Sequence, residues 1–181
     1  MLDCVQCRSR LRTIGGIFAP DGSYRFEGFA EFVKIYEAAC TTLTRPEDYQ
    51  RLTRAVLEEQ AQNGVIYTEI FLSPDFCGNR DRGAWREYLQ AIREEAAALE
   101  REAGITMKAI ATCIRHFGPD KARQTALCAA ETAGDFLVGF GIAGMETMGK
   151  LKDFKWSFDA TREAGLKPTV HAGEWAGPSE V

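Results

Sequence analysis

The sequence predicts an α/β chain built on a parallel sheet, and three observations carry that reading. Four helical patterns end in glycine and run straight into a short apolar segment, at Gly64, Gly104, Gly134 and Gly165. Those glycines recur every 30 to 40 residues. The segments that follow them are apolar in runs rather than in strict alternation. Strand and helix alternating at this interval imply successive βα units joined by right-handed crossovers, and apolar runs suit strands covered by helices.

The elements follow in chain order. Thr44-Arg45-Pro46-Glu47 has the S/T-x-x-E form of a capping box, and it opens a helix with Tyr49, Leu52 and Val56 on one side. A strand is expected over 65–72. Trp85, Leu89, Ile92, Ala96 and Leu99 recur in steps of four and three, which aligns one apolar helix face. A strand near 107–113 comes next, then a helix from near Pro119 and a strand over 137–142. A last helix over 150–164, with Leu151, Phe154 and Phe158 on one side, leads to a strand over 167–171. The glycines close the helices because the residue just past a helix commonly takes φ > 0, where glycine has no Cβ to clash.

Composition narrows the function. The 181 residues are 45% hydrophobic and 27% charged, which is ordinary globular usage and suits one domain. The net charge is -4 and the isoelectric point near 5.3, with acids and bases interspersed along the helices, so nucleic-acid binding has no electrostatic footprint. The start lacks the apolar stretch of a secretory signal, and no run of about 18 apolar residues appears. The chain therefore reads as soluble and cytoplasmic, without a membrane partner. Its six cysteines are scattered and are expected as reduced thiols. Cys4 and Cys7 form a C-x-x-C, but one such pair lacks the further ligands of a closed zinc site.

Two architectures suit these units. An open doubly wound sheet fits within 181 residues, whereas an eight-stranded βα barrel usually takes about 250. In both, ligands bind at the carboxyl ends of the strands. Those tips read "LSPD", "IRHF", "GIAGME" and "HAGEWAGP". His171 closes its strand and Glu174 follows on a loop made pliable by Gly173. Such an imidazole can ligate a metal, and a carboxylate three residues on can carry a proton. Standing alone, the pattern is more often a hydrogen-bonded strand-end histidine followed by a loop carboxylate. The tip at Gly139, Gly141 and Gly144 lets a ligand approach the backbone, or is simply a tight turn. His116, between Ile114 and Phe117, reads as a packed histidine before it reads as a ligand.

From about residue 17 to 181 the chain resembles the adenosine deaminases, metal-dependent amidohydrolases built on a βα barrel. "TVHAGEWAGP" resembles their fifth-strand motif, "GFGIAGMET" the fourth-strand tip, "YTEIFLSP" the second strand and "YRFEGFAEFVKIYEAA" the preceding helical stretch. The order of these motifs, with Gly144 placed 27 residues before His171, makes the match specific. The resemblance implies an incomplete (β/α)8 TIM barrel of about four parallel strands, strands two to five, with flanking helices. It implies that His171 is a zinc ligand, that Glu174 passes a proton to the purine ring nitrogen, and that Gly144 supplies a backbone donor to the substrate. The implied reaction is hydrolysis of adenosine to inosine by a zinc-activated water. Many relatives carry Asp where this chain has Gly141.

Other departures are absences. The family's H-x-H strand, its later H-G motif and its Asp-Asp pair have no counterpart here. A catalytic zinc takes about three protein ligands, and the chain has two histidines, His116 and His171. The expectation is a leader, 1–16, that is disordered and matches nothing, and a partial barrel domain, 17–181, without activity or tight Zn2+ binding by itself. Two open sheet edges would favour self-association. The alternatives are a non-catalytic α/β module that binds a small ligand at the strand tips, and a related deaminase of adenine or another purine nucleoside.

Overall fold

The computed structural model describes Ser23 and residues 25–180. The leader and the Cys4–Cys7 pair lie outside the described residues. The chain divides into two compact units, residues 1–44 and 45–181.

In the first unit, α1 (Phe29–Cys40) starts at Gly28. Its aromatic residues pack along one strip: Phe32 meets Phe26 edge-on at 5.4 Å and stacks on Phe29 at 5.9 Å between ring centroids.

The second unit opens with α2 (Pro46–Gln62). Its N-cap is Arg45 rather than Thr44, and the carboxylate of Asp48 accepts the Arg45 N–H at 3.1 Å. The one-residue shift has a physical reason. A residue before proline is driven out of the helical region, and Arg45 is extended, with φ -137° and ψ 155°, so the helix cannot include it. Three βα units and a fourth strand follow in sequence: β1 (Tyr67–Leu72), α3 (Arg82–Ala103), β2 (Thr106–Ile114), α4 (Pro119–Glu131), β3 (Leu137–Ala143), α5 (Lys155–Glu163) and β4 (Lys167–Val170).

The four strands are all parallel and lie in the order β1-β2-β3-β4. This order separates the two architectures. A doubly wound sheet reverses direction at a switch point, whereas here every new strand joins on the same side of the last, as in a TIM barrel. The fold is four parallel strands of a partial barrel with flanking helices.

The helix-facing side of the sheet is the core. Met107, Ala109, Ala111 and Cys113 of β2 are buried, as are all five residues of the predicted α3 stripe, Trp85, Leu89, Ile92, Ala96 and Leu99. Trp85 also donates from Nε1 to the Thr132 hydroxyl at 2.9 Å, so its one polar group is satisfied inside the packing. The opposite side is less covered: Tyr67, Glu69 and Phe71 of β1 alternate outward and are exposed.

Two expectations are corrected. Gly134 is not among the residues with positive φ. Helix α4 ends earlier, at Glu131, where the Thr132 hydroxyl donates to the Cys128 carbonyl at 2.8 Å, and Gly134 sits in the turn, donating to the Leu137 carbonyl. The helix expected over 150–164 opens as a 3-10 turn, Leu151–Phe154, before α5 begins. Phe154 is buried and Phe158 packs edge-on against Phe140 at 5.2 Å, while Leu151 is exposed. Cys40, Cys77, Cys113 and Cys128 are free thiols. No helix among the described residues is long and apolar enough to cross a membrane.

Candidate active site

Parallel order places every strand's carboxyl end on one rim, and the residues singled out from sequence fall there. After β4 the chain stays beside β3: the His171 N–H donates to the Ile142 carbonyl at 3.1 Å. The His171 ring turns to the same oxygen, with Nδ1 3.1 Å away. That bond assigns the proton to Nδ1 and leaves Nε2 as the lone-pair nitrogen, the arrangement in which a backbone carbonyl orients an imidazole for ligation. The Phe71 ring meets the His171 ring edge-on at 5.1 Å and fixes its plane.

The β3 tip is shaped by its neighbours. Gly144 has φ +99°, and a Cβ there would stand 2.6 Å from Nδ1 of His116. Next to it, the Met145 N–H donates to that Nδ1 at 3.3 Å. His116 thus serves as an acceptor that braces the tip, and its ring packs on Phe117 at 4.8 Å. A Cβ at Gly141 would meet Thr169 Cγ2 at 3.0 Å and the Thr169 carbonyl at 3.3 Å, so β4 fills the space that a side chain would need.

Beyond the tip, the buried Arg115 guanidinium donates to the carbonyls of Met148 at 2.8 Å and Gly149 at 3.0 Å. Residues 144–149 are therefore held at both ends of the loop from the 3-10 turn Arg115–Phe117 that follows β2.

Glu174 stands exposed on the loop after His171. No hydrogen bond among the described residues joins its carboxylate to His171 or to Gly144. What ties this loop to the site is a residue that sequence reading missed, Glu146. It is 3% exposed, and its Oε2 accepts the backbone N–H groups of Trp175 at 2.7 Å and Ala176 at 3.0 Å. These two donors, with weaker help from the N–H groups of Glu174 and Gly173, hold its carboxyl below the ordinary glutamate value of 4.5 although burial opposes them. The available signal was its place three residues past the β3 strand, in a glycine-rich tip.

Among the described residues no group of three His, Cys, Asp or Glu could hold a metal ion. His171 offers one suitable nitrogen, so these residues do not by themselves make a zinc site. A cleft of about 370 Å³ lies at the opposite end of β3, lined by Arg86, Arg93 and Asp135 among others. Its arginines are already paired, Arg86 with Glu131 and Arg93 with Asp135, and it is remote from the tips.

Comparison with known proteins shows the family and agrees with the fold. The sequence profile of the adenosine deaminase family matches residues 22–181. An adenine deaminase of Agrobacterium fabrum is 38% identical over 164 residues, which is 91% of this chain and 50% of that protein. An adenine deaminase of Rhizobium rhizogenes matches equally well, at 38% identity over 91% of this chain. The chain spans about half the length of the curated relatives it matches. Among solved structures, the adenine deaminase of Arthrobacter aurescens superposes with a TM-score of 0.79 at 26% identity, over 96% of this chain and 55% of that one. An amidohydrolase of Burkholderia ambifaria with bound Zn superposes with a TM-score of 0.74 at 22% identity, over 93% of this chain and 48% of its own.

Proposed function

The chain belongs to the adenosine deaminase family, and from that premise we propose that it contributes the fourth and fifth strand tips of an enzyme that hydrolyses the amino group from a purine. Adenine is the preferred substrate of this reading, because the relatives at 38% identity over nine-tenths of the chain bear the name adenine deaminase. Adenosine is the second reading, resting on the family's own name.

The chemistry assigned to this chain's residues is limited and specific. Water adds its oxygen to the ring carbon that bears the amino group, that carbon–nitrogen bond breaks, and ammonia leaves a ring carbonyl behind. Glu174 delivers a proton to the adjacent ring nitrogen and so lowers the cost of water addition. The backbone N–H at Gly144 donates to the purine and orients it, in a tip where a side chain would collide with His116. His171 presents Nε2 to the same rim. Zn2+ is the metal to expect beside it, and when bound it would supply an activated water. The described residues do not complete its coordination, so no step is routed through it.

The observation that carries this reading is the pair of hydrogen bonds from His171, backbone N–H and ring Nδ1, to the Ile142 carbonyl, which sets the imidazole beside the glycine-lined tip. The test is a titration of adenine and adenosine into the isotopically labelled chain. Adenine should shift the amides of Gly144 and His171, and less so those at the Arg86–Arg93 cleft. Unchanged tip resonances at millimolar adenine would overturn the reading and favour a module for another ligand. By itself the chain is expected to show neither turnover nor stoichiometric Zn2+, and finding both would overturn the proposal that its ligand set is incomplete.

A further inference from the structure

We propose that Glu146 is a positioning residue for Glu174: its buried carboxylate is the post around which residues 173–176 fold, and it thereby fixes where the Glu174 carboxylate stands. The inference rests on the role given to Glu174 above, but its evidence is separate.

A buried carboxylate is costly unless its charge is met. Here it is met by main-chain donors. The Trp175 and Ala176 N–H groups both point at Oε2, and the N–H groups of Gly173 and Glu174 contribute to the same field. Consecutive amides turned towards one anion form a concave nest, and its two hydrogen bonds come from Trp175 and Ala176. The loop can curve this tightly because Gly173 and Gly177 adopt φ +75° and +87°. Glu174 lies within the nest, so the direction of its side chain is set by the peptide units on either side of it.

The post is itself rigid. Residues 144–149 are braced by His116 on the Met145 N–H and by Arg115 on the Met148 and Gly149 carbonyls. A mechanical path thus runs from β2 through Arg115 and His116 to Glu146, and from Glu146 to the loop that carries Glu174. Among the described residues, the exposed Glu174 carboxylate makes no bond that could hold the loop from its own side. Glutamine at position 146 would keep the shape and could aim its one carbonyl oxygen at the same two N–H groups, but it would lose the negative charge that strengthens both bonds.

The test uses the full chain with Glu146→Gln, Glu146→Asp and, as a control, Glu174→Gln. Amide exchange at Trp175 and Ala176 should quicken by about tenfold in Glu146→Gln, less in Glu146→Asp, and not at all in Glu174→Gln. With adenine present, the carboxyl resonance of Glu174 should lose its ligand-induced shift in Glu146→Gln while the Gly144 amide keeps its own. Unchanged protection of residues 173–176 in Glu146→Gln would overturn the proposal. So would equal loosening of β3 and β4, since Glu146 would then be holding the whole sheet rather than this loop. If adenine shifts no resonance even in the unaltered chain, the deaminase reading fails, while the exchange data still decide whether Glu146 anchors the loop.

Discussion

Nδ1 of His116 lies 2.6 Å from the place a Cβ on Gly144 would occupy, and Gly144 holds φ at +99°. Two penalties therefore face any side chain at 144, one from the backbone and one from the imidazole. Gly144→Ala is expected to destabilise the chain by about 2 kcal/mol, from the strained φ together with the clash. Urea unfolding measures it. Adding His116→Ala should recover the steric part and leave the backbone part, so the double variant should be less destabilised than the two single effects combined. Simple additivity would show that the contact between 116 and 144 has no energetic weight.

A buried ion pair fixes the loop after β1. Arg80 Nη1 bonds Asp75 Oδ1 at 2.6 Å, with the two side chains 12% and 2% exposed. Thr125 donates to the other oxygen of Asp75 at 3.0 Å. Removing one partner strands a charge in the packing, so Asp75→Ala should cost about 3–5 kcal/mol, whereas Thr125→Val should cost about 1 kcal/mol. Thermal unfolding of both variants checks the ranking. Equal losses would mean that Arg80 finds water once Asp75 is gone.

The sequence displays best what repeats. The α3 stripe of Trp85, Leu89, Ile92, Ala96 and Leu99 was legible because one buried face imposes a period on it, and every member is buried. The four strands were legible because covered parallel strands are written as apolar runs. The rim positions of His171 and Gly144 followed from the strand ends, and their assigned roles came from the family resemblance. Glu146 and Asp75 were not legible. Each is a loop carboxylate with a donor far along the chain, 29 residues away for Glu146 and 50 for Asp75, which also pairs with Arg80 close by, and no local pattern marks the donors that folding alone brings. Arg45 shows the same limit at short range, since the proline that follows it, rather than the Thr-x-x-Glu pattern, decides where the helix starts.

Cys113 predicts an alkaline limit. Burial first, and then the negative charge of Asp75, push its thiol from 9.0 up to about 12. In the folded state the thiol holds its proton through a range in which the unfolded chain has released it. The unfolded state is therefore favoured as pH rises above 9.0, with the loss complete only near 12. Over that window the stability of the unaltered chain should fall more steeply than that of Cys113→Ala, by about 1 kcal/mol per pH unit. Denaturant midpoints at pH 8, 9 and 10 give the comparison. Parallel slopes for the two proteins would mean that Cys113 ionises alike in both states.

The two outer strands predict association. β1 and β4 end the strand order of the sheet, and Ile66, Tyr67, Phe71 and Val170 are 76%, 51%, 44% and 42% exposed. Parallel strands ordinarily have both faces covered, and an unpaired strand edge beside apolar side chains is a template for another chain. Sedimentation at rising concentration should therefore show species larger than the monomer. Ile66→Lys combined with Val170→Lys places a charge at each edge, and should shift the population towards monomer while moving the unfolding free energy by no more than about 0.5 kcal/mol per site, as exposed positions do. If the unaltered chain stays monomeric throughout, its edges are protected by something other than pairing. If the lysine variants associate as strongly as the parent, the contact lies elsewhere, and the aromatic strip of Phe32 and Tyr36 on α1 with Phe26 just before it, also exposed, becomes the surface to alter next.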